Sequence, residues 1–256
     1  MPEGDTIHRA AARLRPALVG RTVVRFEAPR ARGFPPRRGT TVDSVEAVGK
    51  HLLVTFGDGT VLRTHMRMSG SWRLVATGER WPRPAHLMRA LVEVEGWTAV
   101  CFSAPVVELE RRPRVDHLGP DLCRADADLD ECVRRIDQFA GPDVELADVL
   151  LDQRIACGVG NVYKSEACFA VGLHPRQPVG GIDPVLRRAV IESAAGLLQA
   201  NLGPGRRTTT SGPPGSTAVY GRARRPCRRC GTPIQMARTG PHARSTYWCP
   251  TCQPTP

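Results

Sequence analysis

A chain of 256 residues suits one large or two medium domains with a real hydrophobic core, and its net charge of +11 predicts an anionic partner, nucleic acid first and an anionic membrane surface second. No apolar run approaches 18 residues and no basic amphipathic helix carries a bulky apolar face, which argues against the membrane. Nine cysteines behind a polar N-terminus without a signal peptide predict a cytosolic chain whose cysteines bind metal or stay as thiols rather than forming disulfides.

Arginine supplies nearly all of the positive charge. Only Lys50 and Lys164 are lysines, which marks them as positions where a compact, titratable ammonium is needed and a guanidinium will not serve.

The chain opens Met-Pro-Glu-Gly-Asp-Thr. Removal of the initiator methionine leaves the secondary amine of Pro2 beside the carboxylate of Glu3. An α-amino group titrates at about 7.7–8.0, so part of it is neutral and nucleophilic near pH 7. Ile7, Ala10, Ala11, Leu14 and Leu18 then follow helical spacing over Thr6–Leu18. The positive end of such a helix lowers the pKa of an amine placed there. A secondary amine that attacks an aldehyde-like carbon gives an iminium directly, the chemistry of Schiff-base catalysis. Pro and Glu also suit the first turn of any helix, so this stretch alone leaves both readings open.

Short apolar runs broken by Gly and Pro follow: Thr22–Phe26, Val42–Val48, His51–Phe56, Thr60–Thr64, Leu87–Val94, Thr98–Phe102 and Val106–Leu109. Their spacing predicts a β-sandwich or barrel fronted by the helix, with Asp58-Gly59 as a hairpin turn. Gly49-Lys50-His51 begins a strand, where Lys50 either blunts an edge or meets an anion. Thr64–Ser71 is a strand end running into a glycine turn. There His65 and Arg67 are candidate phosphate contacts, and Met68 is either core filler or an apolar wedge between bases.

From Asp126 the periodicity becomes helical, over Asp128–Phe139, Glu145–Gln153, Asn161–Val171 and Asp183–Asn201. The junction Ile155–Asn161 holds two glycines and then an Asn able to cap the next helix, which leaves backbone N–H groups for a phosphate. Gly203–Ser216 is rich in breakers and predicts a mobile loop. Cys227-x2-Cys230 and Cys249-x2-Cys252 flank 18 residues, the spacing of a tetrahedral structural zinc site around a hairpin whose tip is Gly240-Pro241.

Together these motifs resemble the formamidopyrimidine-DNA glycosylase/endonuclease VIII family. They are Met-Pro-Glu-Gly, Gly-Lys50, His65-x-x-Met68-Ser-Gly-Ser, Leu151-Asp-Gln-x6-Gly160-Asn161-x-Tyr163, Val219-Tyr-Gly-Arg222 and the finger ending Arg244-Ser-Thr-Tyr-Trp-Cys249-Pro-x-Cys-Gln253. The resemblance runs over essentially the whole chain, in the family's order. It implies an α+β fold with three parts: residues 1–122, an N-terminal helix and catalytic β-sandwich; 123–218, a helix–two-turn–helix DNA-binding domain; and 219–256, the zinc finger.

It further implies a bifunctional glycosylase and abasic-site lyase of base excision repair. The partner would be double-stranded DNA with oxidised bases or abasic sites, clamped at its phosphates from both domains. Pro2 would attack C1′ and Glu3 would act as the acid. Lys50 would serve β-elimination and Arg244 the flanking phosphates and δ-elimination. Asn161 would bind phosphate, Met68 would fill the void, and His117 would touch DNA. A monomer in the bacterial cytosol or nucleoid is expected, with Zn2+ as the structural cofactor.

Two departures stand out. Glu108–Leu118 lacks the Arg-Phe wedge of the 8-oxoguanine-preferring branch, and the start reads Pro-Glu-Gly-Asp-Thr. Both resemble the endonuclease VIII branch, which favours oxidised pyrimidines. Thr6 stands where the family has a glutamate, with Asp5 beside it. A non-catalytic DNA-binding protein of the same fold is the alternative. An N-terminal-proline tautomerase would explain Pro2 but neither the charge nor the finger.

Overall fold

The computed structural model describes residues 2–255. The chain divides into two compact units, Met1–Asp116 and His117–Pro256.

The first unit begins with helix α1 (Gly4–Leu18), whose Ile7, Ala11, Leu14 and Leu18 form its buried face. Strands β1 (Val23–Glu27), β2 (Val42–Val48), β3 (His51–Phe56), β4 (Val61–His65), β5 (Ser71–Ala76), β6 (Met88–Val94), β7 (Trp97–Phe102) and β8 (Val106–Glu110) follow. They form two antiparallel sheets of four, in the orders β2-β3-β4-β8 and β1-β6-β7-β5. Val45, Val54 and Phe56 of one sheet, Val92 and Cys101 of the other, and the apolar face of α1 share one buried cluster. This is the expected helix-fronted sandwich.

Strand β5 escaped the sequence pattern. It pairs in full register with β7, yet buries only Trp72, whose indole N–H donates to Thr64 Oγ1 at 3.0 Å. One buried position in six gives no alternation to read. Lys50 also differs from expectation. With Gly49 it makes the two-residue turn between β2 and β3, and Gly49 takes φ +55°, so the strand starts only at His51.

The second unit contains α2 (Leu129–Phe139), α3 (Leu146–Val149), α4 (Asn161–Val171), α5 (Pro184–Gln199) and the hairpin β9 (Gln235–Thr239) with β10 (Arg244–Trp248). Asp128 and Asp183 cap α2 and α5 by accepting from Glu131 N and Val185 N, both at 2.8 Å. Helix α3 is one turn long where a run to Gln153 was expected. Asp152 instead accepts from Arg154 N at 2.9 Å. The Gln153 amide donates to Leu151 O and Val159 O and accepts from Gly158 N. These side-chain bonds to backbone turn the chain out of the helix. Asn161 is likewise the first helical residue of α4, with Gly160 in the cap position.

The breaker-rich segment after α5 is held rather than loose. Asn201 exchanges hydrogen bonds with the backbone of Thr208, and Thr209 N donates to Ser216 O at 3.0 Å. Glu166 of α4, 2% exposed, accepts from the backbone N–H groups of Ala218, Val219 and Tyr220 at 2.7–2.9 Å. Among the described residues no helix is long and apolar enough to cross a membrane.

Candidate active site and metal centre

In the first unit, Glu3 occupies the N-cap of α1. Its carbonyl starts the helix by accepting from Thr6 N at 2.9 Å, and the residue is fully buried. Half-buried Pro2 precedes it directly. Asp5 is 1% exposed and accepts from Thr6 Oγ1 at 3.3 Å, so the first turn carries two buried carboxylates. The positive end of the helix stabilises such groups.

His65 ends β4 opposite His51, the two rings meeting edge to face at 4.9 Å. Arg63, 7% exposed, bonds Glu110 at 2.9 Å, pairs with Glu108 and lies 3.3 Å from His51 Nδ1. Burial, and then the positive charges of Lys50, Arg67 and Arg63, press the His65 pKa down to about 4. His65 is therefore neutral at pH 7. Its Nδ1 accepts from Arg67 N at 3.1 Å, which leaves the ring proton on Nε2.

Because the folded pKa lies below the ordinary 6.5, the folded chain resists protonation. The stability present above pH 6.5 is progressively lost as pH falls toward 4. In histidine NMR, the His65 ring is expected to remain the Nε2–H tautomer through pH 6 to 8 and to titrate near 4. Titration near 6.5 would contradict this geometry.

After His65 the chain makes a tight loop. Met66 lies in the core at 2% exposure, and its carbonyl accepts from Gly70 N at 2.8 Å. A Cβ on Gly70 would stand 2.6 Å from Met66 Cα, so the loop closes only on glycine. The closure turns Arg67, at φ +43°, and Met68 outward. Met68 is 67% exposed and is not core filler.

The second unit holds His117, Asn161, Arg244 and the four cysteines. His117 is exposed, two residues before Gly119, which docks on the turn through a bond from its N–H to Gln153 O at 2.8 Å. Asn161 is buried at the head of α4. Arg244 is exposed at the start of β10, paired across the hairpin tip with Thr239. It lines one groove with Asp148, Asp152, Arg154 and His242. Arg154 there pairs with Asp152 at 2.6 Å and lies over the Phe139 ring.

The sulfur atoms of Cys227, Cys230, Cys249 and Cys252 all lie within 4.8 Å of one another, with Cys227–Cys252 at 3.9 Å and Cys230–Cys249 at 3.4 Å. Tetrahedral zinc with Zn–S bonds of about 2.3 Å needs sulfurs about 3.8 Å apart, so the donor set fits Zn2+. Cys252 N donates to Cys249 Sγ at 3.5 Å, and Gln253 accepts from Cys249 N at 2.9 Å while donating to Leu173 O. These bonds orient the ligands from outside the metal. The zinc is structural.

Sequence reasoning missed Glu166 and Arg63. Their importance lies in hydrogen bonds to distant backbone or side chains, which have no local spacing.

Residues 1–105 match the family profile of the formamidopyrimidine-DNA glycosylase N-terminal domain, 118–212 that of the formamidopyrimidine-DNA glycosylase H2TH domain, and 225–255 a zinc finger found in FPG and IleRS. The probable endonuclease 8 2 of Streptomyces coelicolor is 44% identical over 267 residues, covering 100% of this chain and 95% of that protein. The DNA-(apurinic or apyrimidinic site) lyase Nei2 of Mycolicibacterium smegmatis is 40% identical, covering 99% of each. The crystal structure of MutM (Fpg) from Thermus thermophilus superposes with a TM-score of 0.81 at 28% identity, over 98% of each chain. On these grounds the chain belongs to the formamidopyrimidine-DNA glycosylase/endonuclease VIII family.

Proposed function

We propose that the chain is a bifunctional DNA glycosylase and abasic-site lyase of base excision repair. It acts as a monomer on double-stranded DNA, removes oxidised bases with pyrimidines favoured, and cuts the strand at the resulting abasic site. The observation that carries this reading is Pro2 beside the fully buried Glu3 at the head of α1, in a chain that matches the family along its length. The work divides among residues 1–122 for chemistry, 123–218 for the helical DNA contact and 219–256 for the finger.

The lone pair of the Pro2 nitrogen forms a bond to C1′ as the bond from C1′ to the base breaks. The electron pair leaves with the base, which takes up the proton that the newly bonded nitrogen releases. Glu3 gives a proton to the sugar ring oxygen, the ring opens, and nitrogen and C1′ share the iminium charge. The iminium acidifies C2′; loss of a proton there expels the 3′ phosphate, and a second elimination expels the 5′ phosphate. Water then returns the amine. Lys50 serves the eliminations, and His65 offers its Nε2–H to a phosphate without adding charge. Met68 takes the space of the extruded base. His117, Asn161 and Arg244 hold the backbone, and Arg244 serves the second elimination.

A panel of duplexes tests the reading. An abasic site is expected to be nicked, and an oxidised pyrimidine to be removed at least about tenfold faster than 8-oxoguanine, a difference of about 1.4 kcal/mol. Faster removal of 8-oxoguanine would overturn the pyrimidine preference, and intact abasic DNA would overturn the lyase.

A further inference from the structure

Lys164, one of the two lysines, is fully buried, and no step above uses it. It lies on α4, one turn after Asn161. Its ammonium donates to Ser245 O at 3.2 Å and to Thr246 Oγ1 at 2.8 Å, the two residues directly after Arg244. Thr246 Oγ1 is itself bonded to Thr239 Oγ1 at 2.7 Å, so the grip reaches both strands of the hairpin. The neighbouring Ser165 donates to Asn161 O at 3.1 Å and accepts from Tyr247 N at 3.4 Å.

A second charge approaches from α3. The Asp148 carboxylate lies so close to the hairpin tip that a Cβ on Gly240 would stand 2.1 Å from its Oδ1. Burial and the neighbouring Glu145 carboxylate raise the Asp148 pKa, and the positive charges of Lys164 and His242 oppose that rise. The helices thus meet the hairpin at two points, with a cation behind Arg244 and an anion at the tip. A buried ammonium is costly unless its donors are satisfied, so it is kept where its geometry is needed. Arginine would carry a larger, planar head into a site with no exposure.

We propose that Lys164 is a positioning residue: by bonding Ser245 and Thr246 it fixes the reach of Arg244 relative to Asn161 at the head of the same helix. The proposal rests on the reading in which Arg244 and Asn161 hold DNA phosphates. Phosphates along a strand have a set spacing, and two contacts act together only when their separation matches it.

The test is a double-mutant cycle of Lys164→Met and Arg244→Ala, measured as kcat and KM on abasic duplex with zinc content checked for every variant. Lys164→Met is expected to lower kcat/KM about tenfold when Arg244 is present and by less than about twofold when it is absent. Equal losses in both backgrounds would show a general effect on folding and overturn the proposal, as would no loss in either. If Lys164→Met does not fold, Thr246→Val removes the acceptor on the finger side and enters the same cycle with the same expectation. If the unaltered chain does not cut abasic DNA, the catalytic reading has failed. The cycle is then read from DNA affinity, where the same non-additivity supports the positioning role and additivity overturns it.

Discussion

A chain whose Pro2 nitrogen is acylated, by a retained Gly-Ser extension ahead of it, is expected to lose strand cleavage at abasic sites by about a thousandfold or more. Acylation turns the amine into an amide whose lone pair is delocalised into the carbonyl, leaving no nucleophile. No side chain changes, so the sandwich core and both carboxylates of the first turn stay as they are. Affinity for abasic duplex is expected to stay within about threefold, because phosphate contacts supply most of it. A denaturing gel reads cleavage and fluorescence anisotropy reads binding. Glu3→Gln complements this by keeping the amine and removing the acid, and should leave the chain slow to open the sugar ring and reach the iminium. Full cleavage by the extended chain would mean that another group attacks C1′.

Zinc removal is expected to be nearly as severe. The hairpin β9–β10 has only two strands, and an isolated hairpin of that kind is marginal in water. Its own core is small: Phe169, Ala218, Val219 and Ile234 beside Cys227 and Cys249. A structural zinc contributes about 10–16 kcal/mol in zinc-finger peptides, far more than this core supplies. Chelation, or Cys249→Ser, should therefore unfold the finger while α2, α4 and α5 keep their shared core around Tyr163, Val190 and Leu198. Helical circular dichroism is expected to persist. DNA affinity is expected to fall about a hundredfold with a shallower salt dependence, since fewer phosphates are neutralised once the finger's arginines are lost. An unchanged salt slope in the chelated chain would show that the finger does not touch DNA.

The sequence was most readable where one residue type has one structural use. Val42–Val48, His51–Phe56 and Asn161–Val171 run between the very ends their patterns suggested. Asp128, Asp183 and Pro184 mark helix starts because each satisfies or omits a backbone N–H locally. The cysteine spacing specified the zinc site because four thiolates at that separation have one common geometry.

Legibility failed where hydrogen bonds that leave no periodic trace decide, whether the partner is near or far. Glu145–Gln153 has helical periodicity throughout, yet the side chains of Asp152 and Gln153 take the backbone hydrogen bonds that a longer α3 would need. Strand β5 is held by its pairing to β7 and by Trp72, not by alternation. Nothing in Asn-Val-Tyr-Lys-Ser-Glu shows that Glu166 will collect three backbone N–H groups from more than fifty residues away. The scarcity of lysine did mark Lys164, though not what it holds. The N-terminal motif was legible as chemistry only in company with the rest of the chain, because Pro and Glu begin many helices.

In the proposed mechanism the Pro2 nitrogen is the nucleophile. Borohydride trapping tests it most directly: the protein is mixed with duplex carrying one abasic site, the iminium is reduced, and the adduct is digested and located by mass spectrometry. A single covalent adduct on the Pro2 nitrogen, with Met1 absent, is the expected result. An adduct on Lys50 or another amine, or no adduct from a chain that binds the duplex and has lost Met1, would contradict it.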